Sequence, residues 1–367
     1  MLATSKSHLY LSGEKRIKMT ETLAKHESPQ SLSKIDPKTV LEDVYYSRFM
    51  DEKMQKLVRQ NKGGTFHLYT QGHELVGVTC ARALCISKDW GFPYYRDRSF
   101  AIGIGCDITE LFGAFLCRNV SHHSGGRMMP DHFSHKQLRI PCQSSVVGSQ
   151  FLQAVGVAKG VSLSGANDVV YVSGGDGSTS QGDFHEALNY SCLHRLGVIF
   201  VIQDNGWAIS VPVEEQTTGG SIAQVASGYE GLSVHEIDGC DFSLISTTME
   251  ACVKKGRSGN GPSLVVAKVP RIGAHSSSDD PKKYKTQEQL SDDIIKDPVA
   301  RFEKWIAENN ILTLDKMALL KQEIRSEIDV AAKDAELLPY QSVDKVLDHI
   351  FKPVNILFKE TPDIRGE

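Results

Sequence analysis

A strand–helix–strand passage between residues 167 and 212 constrains the fold of this chain more than any other stretch. Residues 169 to 173 form a short apolar run that is rich in β-branched side chains and closed by glycines, which is typical of a fully buried strand. A helical pattern follows over residues 183 to 194, and residues 198 to 202 form a second buried strand. Strands joined through a helix run parallel, so the sequence predicts an α/β fold with a mostly parallel sheet flanked by helices.

Polar residues follow each of these two strands. Gly-Asp-Gly, with Asp176 at its centre, comes after the first strand, and Asn205 comes after the second. Both ends lie at the same edge of the sheet, where α/β proteins bind ligands. A carboxylate and an amide oxygen are ligands that magnesium takes, and magnesium leaves further positions for phosphates. An isolated Gly-Asp-Gly is more often a tight turn, but the second strand ending in Asn205 favours the magnesium interpretation.

Composition and cysteine usage narrow the class of protein. The 367 residues are 40% hydrophobic and 23% charged, with a net charge of -4, so no polyanion-binding surface is indicated and we expect no nucleic acid partner. No apolar run approaches the length of a membrane span. The eight cysteines include no Cys-x-x-Cys pair, which favours reduced thiols over zinc sites or disulfides. We expect a cytoplasmic protein, or a mitochondrial matrix protein if the source is eukaryotic.

Three segments are predicted along the chain. Residues 1–35 are interpreted as a flexible N-terminal arm, because a single arginine and no clear amphipathic face argue against a mitochondrial presequence. Residues 36–285 form the α/β domain and residues 286–367 a C-terminal helical extension. Apolar periodicity predicts helices over residues 40–61, 75–86, 108–117, 149–163, 241–255 and 314–335, a further helix opening at Ser342, and strands over 232–237 and 263–270.

Several loops carry side chains suited to an anionic ligand. Arg96, within Tyr-Arg-Asp, is suited to phosphate recognition, and the alternative is a surface Arg–Asp pair on a turn. Ser144 and Ser145 precede the helix at 149, where coordination of an anion or a monovalent cation and simple helix capping are equally open. His275 follows the last predicted strand in a loop rich in glycine, serine and aspartate, a position suited to proton transfer.

Two histidine-rich stretches raise the question of a metal site. His67, His73 and Glu74 have cluster-like chemistry, but their spacing places them in a loop and at a helix start, so packing and helix capping are the simpler explanation. Residues 122–132 form a polar loop with three histidines. We interpret it as a loop that closes over a ligand, too rich in glycine and histidine to be core.

Taken together, residues 40 to 350 resemble the α subunit of the first component of 2-oxo acid dehydrogenase complexes, and most of all the branched-chain 2-oxo acid dehydrogenase. The resemblance includes the thiamine diphosphate motif, in which Gly-Asp-Gly is followed by one helix, one strand and an asparagine. The sequence pieces that carry it are Tyr-Arg-Asp at 95 to 97, Gly-Arg-Met-Met-Pro at 126 to 130, Ser-Ser to Gln-Ala-Val-Gly at 144 to 156, Gly-Asp-Gly to Asn205, and Arg-Ile-Gly-Ala-His-Ser-Ser-Ser-Asp-Asp at 271 to 280.

The resemblance implies thiamine diphosphate as cofactor and assigns roles to individual residues. Asp176, Asn205 and the backbone carbonyl of Trp207 would hold magnesium against the two phosphates. His275 matches the family's active-site histidine. The remaining cofactor contacts implied are Tyr95, Arg96, Gly177 and Ser178 at the pyrophosphate, Val147 beneath the thiazolium and Ser145 in the pocket wall.

The resemblance also implies a monovalent-cation site, for potassium, at Ser144, Ser149 and Gln150. There are departures from the family pattern. Gln203 stands where animal branched-chain relatives have an arginine that reaches the phosphate, which puts one charge contact in doubt. Ser276 falls on a serine that is phosphorylated in some animal relatives, but regulation here would need a dedicated kinase and is not inferred.

The implied activity is oxidative decarboxylation of a 2-oxo acid, with transfer of the acyl group to a lipoyl arm of the acyltransferase component. The implied assembly is an α2β2 heterotetramer, because the β subunit supplies the glutamate that thiamine activation needs. Glu74 is the one upstream candidate for that glutamate in this chain. The alternatives are a pyruvate or acetoin dehydrogenase α subunit and a non-catalytic thiamine-binding scaffold. A magnesium phosphohydrolase with a nucleophilic Asp176 would need a lysine and a second acidic loop that are not found.

Overall fold

The computed structural model describes residues 35–63, 66–132, 134–345 and 347–348, so the predicted N-terminal arm and the end of the helical extension lie outside the described residues. The helices are α1 Pro37–Arg59, α2 Glu74–Ala83, α3 Arg98–Ile104, α4 Ile108–Phe115, α5 Ser149–Leu163, α6 Gly182–Leu193, α7 Val213–Gln216, α8 Ile222–Ala226, α9 Phe242–Arg257, α10 Gln287–Ile295, α11 Pro298–Glu308 and α12 Leu314–Leu337. The strands are β1 Trp90–Phe92, β2 Val170–Gly175, β3 Val198–Asp204, β4 Trp207–Ala208, β5 Val211–Pro212, β6 Ser233–Asp238 and β7 Ser263–Lys268.

A five-stranded parallel sheet in the order β1-β2-β3-β7-β6 forms the centre of the molecule. Its β2 and β3 strands are neighbours joined through α6, as the sequence predicts. The short β4 and β5 form a separate antiparallel pair. The predicted α/β fold with a mostly parallel sheet is therefore confirmed.

Side chains that alternate along the strands divide the core into two layers. Tyr171, Ile199 and Val265 point to the face covered by α1, α2, α9 and the C-terminal helices. Val172 and Phe200 point to the opposite face, which α5, α6 and α8 cover. Both faces are buried, which explains why these strands are continuous apolar runs in the sequence. Helices α11 and α12 of the predicted extension pack into the first layer.

The boundaries of several helices follow from their capping residues. The side chain of Asp36 accepts hydrogen bonds from the backbone N–H groups of Lys38 and Thr39, and Pro37 occupies the first turn, so α1 begins before the predicted residue 40. Asp297 caps α11 by accepting from the N–H of Val299 at 2.9 Å. The helix predicted to open at Ser342 is, within the described residues, a single 3₁₀ turn over Val343–Lys345.

The elements near the site that were not predicted include β1 and α3. Strand β1 has only three residues, which is too few to show an alternating pattern. Every residue of α3 is buried, so it has no polar face and no amphipathic period. The carboxylate of Asp97, which lies immediately before α3, accepts hydrogen bonds of 2.6 Å from the hydroxyls of Tyr171 and Ser173. This contact ties the start of α3 to β2.

The end of the loop at residues 122–132 is buried, so the prediction that this loop is too polar to be part of the core is wrong there. Asp131 is buried and its carboxylate accepts two hydrogen bonds from Arg98, at 2.9 and 2.8 Å. Arg98 also contacts Asp51 of α1 at 3.1 Å. Pairing with a buried guanidinium compensates the cost of removing Asp131 from water, which composition alone does not reveal.

The eight cysteines are all free thiols, four of them buried and Cys142 exposed. Among the helices that the structure describes, none combines the length and apolar character that crossing a membrane requires.

We predict that Arg98→Met lowers the free energy of unfolding by about 3–5 kcal/mol, because it leaves the carboxylates of Asp51 and Asp131 buried without their guanidinium. The matched control is Arg301→Met, which removes an arginine from a half-exposed pair with Asp238 and should cost no more than about 1 kcal/mol. Urea unfolding followed by circular dichroism measures both. Equal losses in the two variants would contradict the role given to the buried cluster.

Candidate active site

The register of β2 and β3 brings the two predicted motifs together. Gly175 is paired with Gln203, so the chain leaves both strands at the same level of the sheet, and Asp176 and Asn205 follow at its carboxyl edge. The Gly177 backbone lies against Ala208, where an added Cβ would stand 2.7 Å from the Ala208 side chain. Only glycine fits this contact, which explains the second glycine of Gly-Asp-Gly.

Asp176 is a buried carboxylate, only 1% exposed. Burial and the nearby charge of Asp204 raise its pKa to about 6, although hydrogen bonds from the backbone and from Gln216 oppose the shift. Gln216 Nε2 donates to Asp176 Oδ2 at 2.8 Å. The side chain of Asn205 accepts from the N–H of Trp207 at 3.1 Å. The ionised carboxylate of Asp176 is shielded from water and lies near a second negative charge, so a cation bound beside it would stabilise it.

One cleft of about 330 Å³ is formed at this edge of the sheet. It brings together every residue predicted to contact the cofactor or magnesium, while their roles stay predictions, and of the predicted monovalent-cation residues it includes Ser144 and Gln150 but not Ser149. A second cleft, of about 530 Å³, is formed by residues that precede β3, β6 and β7 and therefore lies at the opposite edge, where none of the predicted residues is found. The predicted residues that line the first cleft are Tyr95, Arg96, Ser144, Ser145, Val147, Gln150, Asp176, Gly177, Ser178, Asn205, Trp207 and His275.

Arg96 and His275 form the second polar group of the cleft. Nη2 of Arg96 lies 3.1 Å from Nδ1 of His275 and donates to the His275 carbonyl oxygen at 3.1 Å, and Nη1 donates to the carbonyl of Tyr69. Arg96 and Asp97 are both buried and face different partners. The alternative of a surface Arg–Asp pair is therefore wrong.

The loop that carries His275 is held by its own polar side chains. The backbone N–H of His275 donates to Asp279 Oδ2 at 2.8 Å, and the hydroxyl of Tyr284 donates to the same oxygen at 2.6 Å. Burial and the charges of Arg96 and Arg271 together lower the pKa of His275 to about 4, against the opposing effect of Asp279. His275 is therefore a neutral imidazole at neutral pH.

The serines before α5 make local contacts. Ser144 Oγ accepts from the N–H of Val146 at 3.1 Å, and Ser149 Oγ donates to the Val146 carbonyl at 2.9 Å. Gln150 Nε2 donates to the carbonyl of Ser173 at 3.0 Å. These bonds order the loop and leave hydroxyl lone pairs unused, so the predicted monovalent-cation site stays a prediction. Ser149 does not line the cleft.

The histidines and Glu74 do not assemble into the cluster considered from the sequence. His73 contacts Gln203, and Glu74 is buried in an ion pair of 2.5 Å with Arg48. Within the described ranges, the metal-binding side chains that do come together are Glu110, His122 and His135. The N–H of Leu138 donates to His135 Nδ1 at 3.2 Å, which places the ring proton on Nε2 and removes that nitrogen as a metal ligand.

Sequence reasoning missed three groups around the cleft. Gln216 reaches Asp176 from the short helix α7, and Arg271 Nη1 donates to the Trp207 carbonyl at 3.4 Å. Tyr94 lines the cleft and bonds to Gln203 at 3.1 Å. None lies within a periodic pattern, because each comes from a loop or a four-residue helix whose position depends on the tertiary fold.

An open parallel sheet with a polar cleft at its carboxyl edge is the arrangement of the α/β enzymes that bind phosphate-containing cofactors. The family described as dehydrogenase E1 component matches residues 42–344 of this chain. The 2-oxoisovalerate dehydrogenase subunit alpha of Bacillus subtilis is 32% identical over 305 residues, which is 83% of this chain and 92% of that protein. The pyruvate dehydrogenase E1 component subunit alpha of Staphylococcus epidermidis is 31% identical over 330 residues, 89% of this chain and 84% of that protein.

The chain therefore belongs to the dehydrogenase E1 component family. It is an oxidoreductase subunit, a component of a 2-oxo acid dehydrogenase, and the family implies thiamine diphosphate as its cofactor. The resemblance seen in the sequence is confirmed at this level.

We predict that His275 titrates with a midpoint near pH 4, because it is buried beside two arginines. Its pKa is lower in the folded than in the unfolded chain, so its contribution to folding stability is complete above pH 6.5 and is lost as the pH falls towards 4. NMR of ¹³C-labelled histidines gives the midpoint, with the signal assigned by its loss in His275→Gln. Arg96→Gln should raise the midpoint, and a wild-type midpoint at or above 6.5 would contradict the prediction.

Proposed function

We propose that this chain is the α subunit of a branched-chain 2-oxo acid dehydrogenase, which decarboxylates the 2-oxo acid and passes the acyl group to a lipoyl arm of the acyltransferase component. The observation that carries the proposal is the cleft that joins Asp176, Asn205, Arg96 and His275 in a chain of the dehydrogenase E1 component family. The name of the Bacillus subtilis relative supports the branched-chain substrate.

The residues at the sheet edge fit magnesium. Asp176 offers a carboxylate oxygen, Asn205 an amide oxygen and Trp207 a backbone carbonyl oxygen, and these are the oxygen donors that magnesium takes. The raised pKa of Asp176, about 6, results from burial and from Asp204, and a divalent cation would relieve both. Arg271 contacts the Trp207 carbonyl only at 3.4 Å, so that oxygen keeps a lone pair available.

The rest of the cleft fits a diphosphate with an attached ring. Arg96 supplies a guanidinium, and the backbone of Gly177 and Ser178 lies beside Asp176. Tyr95 adds an aromatic face 5.9 Å from the Arg96 guanidinium carbon. Val147 is 47% exposed, a large apolar side chain facing open space that a ring would cover. We assign Ser145 to the wall of the same pocket.

When bound, thiamine diphosphate supplies the electron sink that decarboxylation of a 2-oxo acid requires. His275 supplies the proton transfer. The guanidinium of Arg96 can only donate, so Nδ1 of His275 accepts and the ring proton lies on Nε2. A neutral imidazole with Nε2–H donates a hydrogen bond to an oxygen or sulfur atom in the cleft, and it acts as a general acid only after taking up a second proton, because loss of its single N–H proton would leave an imidazolate.

We infer that a β subunit completes the site in an α2β2 assembly. Thiamine activation needs a glutamate, and Glu74 is not available because its carboxylate is bound by Arg48 at 2.5 Å and by the Gly72 N–H at 2.8 Å. Glu74 does not line the cleft. Exposed apolar side chains at Val146 and Ile209, 68% and 54% exposed, surround the cleft and fit a covering protein surface.

A pyruvate dehydrogenase α subunit is the second candidate. It is supported by the Staphylococcus epidermidis relative, whose identity to this chain is 31% against 32% for the Bacillus subtilis relative. So small a difference does not decide between the two substrates. The residues named above would act in the same way on either 2-oxo acid.

We predict that Asp176→Ala abolishes magnesium-dependent binding of thiamine diphosphate, because it removes one of two side-chain oxygen ligands. The matched control is Glu236→Ala, which removes an exposed carboxylate on β6 and should leave binding unchanged. Calorimetric titration with thiamine diphosphate, with and without magnesium, measures both. Undiminished affinity in Asp176→Ala would remove the magnesium site from this proposal.

We predict that the purified chain decarboxylates no 2-oxo acid at saturating thiamine diphosphate and magnesium, and that adding the β partner gives turnover. The substrates tested are 3-methyl-2-oxobutanoate, 4-methyl-2-oxopentanoate and pyruvate. Turnover is measured as the release of carbon dioxide. A higher kcat/KM for the two branched acids supports the proposed substrate, and a higher value for pyruvate supports the second candidate. Turnover by the purified chain alone would contradict the proposal that a β subunit completes the site. No turnover after the β partner is added would indicate a non-catalytic scaffold.

A further inference from the structure

His73 lies beneath the carboxyl edge of the sheet, where the proposed function gives it no role. It is fully buried at the start of α2. Its Nδ1 lies 2.9 Å from Gln203 Oε1, and its Nε2 lies 3.4 Å from Asn205 Nδ2. The hydroxyl of Tyr94 donates to the same Gln203 oxygen at 3.1 Å. His73 is thus the only described side chain that bridges Gln203 and Asn205.

The orientation of the Asn205 amide can be derived from its partners. The backbone N–H of Trp207 can only donate, so the atom of Asn205 that it contacts at 3.1 Å must be the oxygen. The amide nitrogen then faces His73 Nε2, which must accept. A neutral imidazole has one proton, so it lies on Nδ1 and Gln203 must present its oxygen. The Trp207 N–H, the Asn205 amide nitrogen, the Nδ1–H of His73 and the Tyr94 hydroxyl each meet an acceptor in this chain of contacts.

The contacts of His73 keep it in this single tautomer. Its ring is fully buried and lies between the Gln203 side-chain oxygen and the Asn205 amide nitrogen. The proton on Nδ1 is used by Gln203, so Nε2 is left as the acceptor for Asn205.

We propose that His73 is a positioning residue that holds the Asn205 amide with its nitrogen inward and its oxygen towards the magnesium position. This inference rests on the proposed function, because it assigns Asn205 to the metal. Without the acceptor at Nε2, the amide is held in place by the Trp207 contact alone, and a rotated amide would present hydrogens to the cation. The network is built from neutral groups, so it orients a ligand without adding charge to the site.

Gln203 supports this interpretation. It stands where animal branched-chain relatives have an arginine, and here its side chain is fully buried and directed to His73 and Tyr94. Its oxygen accepts both contacts and selects the Nδ1–H tautomer of His73. The residue that departs from the family pattern is therefore a partner of the histidine and not a phosphate contact.

The experiment compares two substitutions of His73, each of which replaces only one of the two ring nitrogens with a polar atom. His73→Asn places a donor near Nδ1 and leaves no acceptor near Nε2, whereas His73→Gln extends an acceptor to the Nε2 position. The complex of this chain with its β partner is titrated with magnesium at saturating thiamine diphosphate, and binding is followed by the fluorescence of Trp207 at the cleft. Thermal unfolding of the cofactor-free complex reports packing independently.

We expect the apparent Kd for magnesium to rise about three- to tenfold in His73→Asn, the range for one lost hydrogen bond, and less than about twofold in His73→Gln. Equal losses in the two variants, or a loss that follows their thermal stability, would overturn the positioning role. Asp176→Ala is measured in parallel. If it keeps magnesium-dependent binding, the metal site and the role of His73 both fail. If Asp176→Ala loses magnesium-dependent binding but His73→Asn leaves the apparent Kd for magnesium unchanged, the proposed function stands and the positioning role of His73 is wrong.

Discussion

The pairing of β2 with β3 is the constraint on which the rest of the site depends. Gly175 lies opposite Gln203, so one residue further along each chain brings a buried aspartate and its neighbours to the same edge. A slip of one residue would turn every side chain of a strand to the other face of the sheet. Such a slip is strongly opposed here, because Val170, Val172 and Phe200 fill one layer and Tyr171 and Ile199 the other. Core packing on both faces therefore determines where the polar groups of the cleft meet.

Buried charged side chains also hold the segments around the cleft in place. Asp97 is bound to Tyr171 and Ser173 on β2, which holds the neighbouring Arg96 at the cleft. Arg98, one residue further on, pairs with Asp51 and Asp131. Three consecutive charged residues thus have three separate sets of partners. Buried pairs of this kind add little net stability, but breaking one of them costs much free energy. They therefore fix the position of this segment, and with it the Arg96 guanidinium.

The sequence predicted what depends on local pattern and missed what depends on tertiary position. Helix α5 was predicted with the bounds that it has, because its apolar positions recur at helical spacing over fifteen residues. Strand β1 and helix α3 were missed because one is too short and the other is buried on all sides. The side chains of the cleft were predicted through a known motif, whereas His73 and Tyr94 belong to no motif. Their contact with Gln203 joins residues 130 and 109 positions apart, and no local pattern records it.

The two kinds of surface in the cleft have different physical requirements. At its floor, this chain supplies both the Asp176 carboxylate and the Arg96 guanidinium. Gln216 holds the first by a hydrogen bond, and His275 contacts the second. At its rim, Val146, Val147 and Ile209 remain 68%, 47% and 54% exposed, so water has access to any group bound there. Proton transfer by a neutral imidazole and stabilisation of developing charge are both more effective where water is excluded. A floor that is ready for an anion beneath an open apolar rim fits the proposal that a partner subunit completes the site, with a surface that is apolar at the rim and carries a carboxylate towards the cleft.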